Sequence, residues 1–360
     1  MKDKLTCVLF FGTVFVLAAL SVILPRADFS ESERRVLASF PEVSAENIFS
    51  GKFSADFEEF STDTFPFRDS FRAIKAFSVK NIFLQSDNNK LISENGHLSK
   101  LDYPLNEDML SHAAGKFSYI YDNFLKGNAA DIKLSIIPDK NFYLDTLKYD
   151  YSALFSYMQE NMPFAEYVDI TDKLALSDYY FTDSHWKQEE IVDVANTLLS
   201  AFGKGEVGKV QENTLDAPFY GVWCGQAADF SVSDRLTYLT NDVIDSLIVT
   251  SFDTGKPVTV DVYDMEKANG RDGYEMFVSG NSSVTTVENP KNRGGGHLVV
   301  FRDSFGGAIA PLLAGGYEKV TLVDIRYIPS SAIGSFVDFA GADVLFLYST
   351  GMLNASTGLR

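Results

Sequence analysis

The sequence predicts an α/β protein in which a mostly parallel sheet, covered by helices on both faces, follows a membrane anchor helix. Three observations carry this expectation. Apolar runs at 298–301, 320–325 and 344–348 alternate with helix-like stretches near 305–314 and 330–339, a βαβαβ rhythm. The runs are almost continuously apolar, the pattern of parallel strands buried on both faces. Residues 5–24 hold no charged side chain, and as a helix about 30 Å long they reach across a bilayer.

The anchor comes first in the chain. Lys2 and Lys4 precede or flank the apolar run, which keeps the N-terminus cytoplasmic and sends the rest outward. An uncleaved anchor is favoured over a cleaved signal. Only Ala18-Ala19-Leu20 approaches a cleavage site, and no lipobox surrounds Cys7. Residues 28–100 read as a polar and aromatic extension with a helical stretch at 53–60. Helical apolar spacing then runs through Met109, Ala113, Phe117, Ile120 and Phe124 within 106–126. It leads to a short strand at 132–137 that ends in Pro-Asp. A helix over 151–161 stops before Pro163. Ile191, Val194, Ala195, Leu198 and Leu199 mark another helix face, with Gly203 as its stop. Residues 205–290 change texture, with β-prone runs at 246–252 and 257–263 among Gly, Asn and Asp turns. The predicted organisation is therefore 1–27 anchor or signal, 28–100 extension, and 101–360 an α/β domain with a β-rich insertion at about 205–290.

Bulk properties exclude several functions. At 360 residues with 46% hydrophobic content the chain buries a large core. A net charge of −18 and the lack of a basic stripe argue against nucleic acid. Two cysteines, one inside the anchor, make no disulfide framework, so Cys224 is expected unpaired.

Two short segments carry the chemistry: TDSHW at 182–186 and FRDSF at 301–305. Ser304 falls where a strand gives way to a Gly-rich helix start, the edge at which α/β sheets place ligands. There it is either a nucleophile beside backbone N–H donors or, with Asp303, a helix cap. Gly306 and Gly307 would let a substrate approach the backbone closely. Asp183 and His185 are spaced so that the carboxylate can orient the imidazole; alternatively Asp183 is an N-cap and His185 a first-turn residue. Of four histidines at 97, 112, 185 and 297, His185 is the best base by elimination. Asn281 offers an amide to an oxyanion or simply a turn. Lys140 and Tyr143 follow a strand end, where loops carry function. The GGG at 294–296 lacks the ending of a phosphate loop, and a His185–Glu189 metal pair lacks a third ligand. No cofactor is called for.

Taken in order, FSESERRVL at 29–37, DTFPFRDSF at 63–71, IPDKNFY at 137–143, TDSHW, FYG at 219–221, YEMFVSGN at 274–281, FRDSF, Pro311-Leu-Leu-Ala and VDIRY at 323–327 resemble the DHHW family. These are relatives of the periplasmic alginate O-acetylation proteins. The resemblance implies a three-layer α/β/α sandwich, SGNH-hydrolase-like but with the acid–base pair preceding the nucleophile in the chain. It implies a triad of Asp183, His185 and Ser304, with Asn281 toward the oxyanion and Lys140, Tyr143, Tyr274 and Arg302 toward substrate. Ser184 stands in place of the family's first His, and Arg302 where a Lys is common. The implied activity is an extracytoplasmic O-acetyltransferase or acetylesterase acting on a surface or secreted polysaccharide. The implied location is a bacterial cell membrane, by a single pass, with a polytopic membrane acyltransferase as acyl donor. The rival is a non-catalytic carbohydrate-binding or assembly protein whose aromatics, Trp186 and Trp223 among them, stack on sugar rings.

Overall fold

The computed structural model describes residues 2–253 and 256–360. They form two compact units: Met1–Leu91 with Val222–Ser231, and Ile92–Gly221 with Val232–Arg360.

In the first unit, α1 (Lys2–Ile23) carries a 20-residue apolar stretch, Lys4–Ile23, long and apolar enough to cross a membrane. Helices α2 (Lys52–Asp63) and α3 (Arg68–Phe77) follow. Arg35, Arg68 and Arg72 gather around Glu33 and Asp63. Arg72 also donates to the carbonyls of Gly225 and Gln226 at 2.8 and 3.0 Å, fastening the short helix Val222–Ala227. Cys224, on that helix, is buried and forms no disulfide.

The second unit is built on an eight-stranded sheet. In chain order its strands are β1 (Asp131–Ile137), β2 (Glu166–Tyr167), β3 (Ile248–Ser251), β4 (Val258–Val260), β5 (Val284–Glu288), β6 (His297–Arg302), β7 (Lys319–Val323) and β8 (Asp343–Ser349). Their spatial order is β4-β3-β5-β7-β6-β8-β1-β2. The five from β7 to β2 pair in parallel, whereas β5, β3 and β4 extend the sheet antiparallel. Thus the β-prone stretch expected as an insertion supplies three strands of the main sheet. Its other strands, Gln211–Phe219 and Asp234–Thr240, pair with each other.

Alternation along the central strands divides the interior in two. Leu298 and Val300 of β6, with Leu345 and Leu347 of β8, enter one core together with Val194, Leu198, Ile309 and Leu313. Val299, Phe301, Phe346 and Tyr348 enter the other, with Leu110, Phe117, Leu154 and Met158. A period of two in the strands thus meets helices on either face.

The helices begin where their caps dictate. Asn106 accepts from Met109 N at the start of α4 (Glu107–Ile120), and Glu107 and Asp108 complement its dipole. A wider π turn, Tyr121–Leu125, continues it. Asp150 caps α5 (Tyr151–Asn161) through Ala153 N. Helix α6 (Val192–Ala201) ends at Gly203, whose φ of +66° suits a residue without a Cβ. Pro311 lies inside α7 (Gly306–Leu313) without ending it. The stretch near 330–339 is not the expected α-helix but a shorter 3-10 segment, Ser330–Ser335. A Cβ at Gly334 would lie 2.7 Å from the Phe124 ring, so this segment packs closely against the π turn that continues α4.

Candidate active site at the C-terminal edge of the sheet

The parallel strands β6 and β8 end side by side, and the chain after β6 turns at Asp303 and Ser304 before α7. Asp303 fixes this turn. One carboxylate oxygen accepts from Phe305 N at 3.1 Å and the other from Ser349 N at 2.8 Å, tying it to the end of β8. The donors at the helix start are engaged internally: Gly306 N bonds to Asp303 O and Gly307 N to Ser304 O. The N–H groups of these two glycines are thus already bonded within the turn. A Cβ on Gly306 would lie 2.7 Å from that of Arg302, so its bareness serves close packing. Gly307 borders the pocket described below.

Across from the turn lies the loop holding TDSHW. Asp183 Oδ1 is 2.6 Å from His185 Nδ1, and His185 Nε2 is 2.7 Å from Ser304 Oγ. An ionised carboxylate can only accept, so Nδ1 carries the proton and Nε2 accepts from the Ser304 hydroxyl. Asp183 also accepts from the His185 backbone N–H at 3.2 Å. The Asp183 side chain is 1% exposed and that of His185 13%, so the carboxylate works in a drier setting than the ring it orients.

The loop is clamped from several sides. Asp234 accepts from Phe181 N and Thr182 N, each at 2.8 Å, and from Thr182 Oγ1 at 2.5 Å. Thr182 Oγ1 in turn accepts from Gly221 N at 2.9 Å. A Cβ at Gly221 would sit 2.4 Å from the Asp183 Cβ, so only glycine fits beside the acid. The Trp186 indole donates to Phe305 O at 3.2 Å and Gln188 to Ala308 O at 2.7 Å, linking the loop to the turn that carries Ser304.

Tyr274 lies flat against the imidazole, with centroids 3.9 Å apart and planes at 10°. Burial and the nearby Asp183 and Asp303 carboxylates push its phenol well above the usual range, so it stays neutral. His185 and Ser304 open on a small pocket whose walls include Tyr274, Glu275, Asn281 and Arg302. Asn281 Oδ1 faces two guanidinium groups, Arg302 at 3.5 Å and Arg326 at 3.4 Å. Its amide nitrogen donates to Glu275 at 3.4 Å, a long bond that leaves it close to the pocket. Arg302 is fully buried and donates to Gly280 O and Asp303 O at 3.3 and 3.2 Å. Burial lowers its pKa, opposed by Asp324 3.8 Å away.

Other expected residues lie elsewhere. Lys140 is buried and its ammonium donates to Leu98 O, Tyr180 O and Phe181 O at 2.6, 2.7 and 3.2 Å. It braces the backbone leading into the TDSHW loop and does not line the pocket. The Tyr143 hydroxyl donates to Thr171 O at 3.3 Å, also outside the pocket. Trp186 is fully buried and presents no face to a sugar. Trp223 belongs to the first unit. Asp234, Arg326 and Asp324 were not singled out in the sequence as site residues, although VDIRY contains the last two. No cluster of His, Cys, Asp and Glu among the described residues could hold a metal ion.

No protein-family model matches the sequence, and no curated protein matches it. Solved structures do. A DHHW family protein from Eubacterium siraeum superposes with a TM-score of 0.59 at 18% identity, over 76% of this chain and 95% of that one. Bacillus cereus PatB1 carrying a sulfonyl adduct gives 0.59 at 16% identity, over 73% of this chain and 95% of PatB1. The O-acetyltransferase domain of Pseudomonas putida AlgJ gives 0.41 at 12% identity, over 69% and 84%. The chain thus has the fold of the DHHW family protein and of PatB1.

Proposed function

We propose that this protein is a membrane-anchored, outward-facing enzyme that moves acetyl groups to or from a surface or secreted polysaccharide. The domain reads as a three-layer α/β/α sandwich, SGNH-hydrolase-like, with helices packed into two cores on either side of the sheet. The observation that carries the function is the unbroken hydrogen-bonded line from Asp183 through His185 to Ser304.

In this reading His185 Nε2 takes the proton as Ser304 Oγ attacks the acyl carbonyl, and Asp183 stabilises the imidazolium. The tetrahedral oxyanion meets the backbone N–H of Ser304 and the Asn281 amide, because the N–H groups of the next three residues are already engaged. One such donor contributes about 3 to 4 kcal/mol to the barrier reduction. The imidazolium then protonates the leaving group, giving an acyl-enzyme. A sugar hydroxyl, or water in an esterase, gives its proton to His185 and takes the acyl group, restoring Ser304. Acetyl-CoA is cytoplasmic, so a transferase on the outer side receives its acetyl from a donor passed through the membrane, for which a polytopic acyltransferase is the proposed partner. Lys2 and Lys4 beside the apolar stretch support the outward orientation. The binding-only rival loses support because Trp186 is buried.

The test uses the full chain in detergent with 4-nitrophenyl acetate. Turnover is expected in the wild type and absent in Ser304→Ala; equal rates in both would refute the nucleophile assignment. An arylsulfonyl fluoride, chosen because PatB1 carries a sulfonyl adduct, is expected to add its mass at Ser304. Adding an oligosaccharide and seeking its acetylated form by mass separates transfer from hydrolysis.

A further inference from the structure

Helix α3 is amphipathic the wrong way round for a water-facing element. Its arginines face the protein: Arg68 and Arg72, with side chains only 15% and 14% exposed, pair with Glu33, while Asp69 and Lys75 stay exposed. Its apolar side faces out. Phe67, Phe71, Ile74 and Phe77, spaced four, three and three apart, form one stripe, and Ile82, Phe83 and Leu84 extend it; all are 47–82% exposed. A helix in water turns such a stripe to the core, and a continuous exposed apolar patch marks a surface made for contact.

Two observations identify what covers it. First, the same unit carries α1, and a groove is walled on one side by Val14, Leu17 and Val22 of α1 and on the other by Phe65 and Phe71. Phe71 of the stripe therefore adjoins space bordered by the bilayer-length helix. Second, Lys75, Lys80 and Lys90 lie exposed along residues 65–90 against exposed Asp69 and Asp87, with Lys80 also paired to Asp229, in a chain whose net charge is −18. Cationic groups around an apolar, Phe-rich face suit an interfacial segment on anionic lipid.

We propose that α3 and the turn at 82–84 lie in the outer surface of the bilayer, with the stripe among the acyl chains, as a second membrane contact beside the anchor. This rests on the reading of α1 as a membrane span. The stripe is a lipid-binding surface, and its role is to hold the first unit against the membrane instead of leaving it on a free tether.

The test reconstitutes the full chain into vesicles of phosphatidylcholine and phosphatidylglycerol with brominated acyl chains, which quench tryptophan on contact. Phe77→Trp and, as a second position against misfolding, Ile74→Trp are compared with wild type, whose own tryptophans set the background. Phe11→Trp in α1 reports the anchor separately. The added emission at 77 and 74 is expected to be lost as fully as that at 11. Loss at 11 with full emission at 77 and 74 overturns the lipid contact while the anchor stands. Full emission at all three positions overturns the anchor and the inference with it. Vesicles made with labelled chains at decreasing protein-to-lipid ratio add an arm. Energy transfer that persists on dilution, with the stripe unquenched, would make the occupant a second copy of this chain.

Discussion

The ring of Tyr274, not its hydroxyl, is what His185 meets. Stacking of two nearly parallel rings at 3.9 Å fixes the imidazole's plane while Asp183 fixes its rotation, so in the proposed mechanism the free nitrogen stays on Ser304 through the proton transfers. An aromatic pair of this kind is worth about 0.5 to 1.5 kcal/mol beyond buried area, which corresponds to a rate loss of about 2- to 12-fold if it is felt in the transition state. Tyr274→Leu should lower kcat by that factor with KM nearly unchanged, and Tyr274→Phe should restore it. Asp183→Asn is more severe. An amide facing Nδ1 can donate, which favours the tautomer whose Nε2–H cannot accept from Ser304. Ester turnover should fall by about 10⁴-fold while circular dichroism stays that of the wild type.

At the scale of elements, the site depends on a loop and a turn that neither helix nor strand propensity describes. The loop 181–186 keeps its shape because Asp234, Lys140 and Gly221 each engage its backbone or crowd its acid. Gly221→Ala puts a methyl carbon where the Asp183 Cβ lies 2.4 Å away. One of the two must move. A displacement of about 1 Å at a reacting group can lower turnover about 100-fold, so kcat should fall to that extent with the stability midpoint shifted far less than activity. Equal kcat in both proteins would mean that the loop yields elsewhere. The elements that frame the site were legible in the sequence because their signals are local. Strands 298–301 and 344–348 announced themselves by apolar continuity, and α5 appeared at the residues expected. Asp183, His185 and Ser304, which the structure brings into one hydrogen-bonded line, were legible as residue types at a spacing. Asp234 was not, because its partners are 52 and 53 residues away in the chain and a lone aspartate in a β-prone stretch carries no pattern. Lys140 misled for a related reason. A lysine at a strand end reads as a surface cation, and nothing nearby in sequence reveals the three carbonyls that bury it.

Over the whole second unit, titration should shape stability through groups away from Ser304. Burial pulls His297 and His97 down to about 4, helped by Lys319 and by Lys140 with Lys187. The folded protein holds both rings neutral, whereas the unfolded chain protonates them below about 6.5. Unfolding therefore takes up protons between about pH 6.5 and 4, and their contribution to stability is lost as pH falls through that window. Glu189 acts with the opposite sign. Burial raises its carboxyl to about 7, so the folded state keeps a proton that the unfolded state releases above about 4.5. Its contribution weakens the fold as pH rises from about 4.5 to 7. Bulk stability mixes these effects, but single variants separate them. Glu189→Gln should be more stable than wild type at pH 8 and no more stable at pH 4. His297→Gln keeps a polar contact to Thr321, whose Oγ1 lies 2.8 Å from His297 Nε2, and should lose less stability than wild type on going from pH 7 to 4.5. Urea unfolding of the full chain in detergent, followed by tryptophan emission at each pH, reads both differences. A Glu189→Gln advantage that did not change between pH 4 and 8 would show that the carboxyl titrates alike in the folded and unfolded states, and that burial does not raise it.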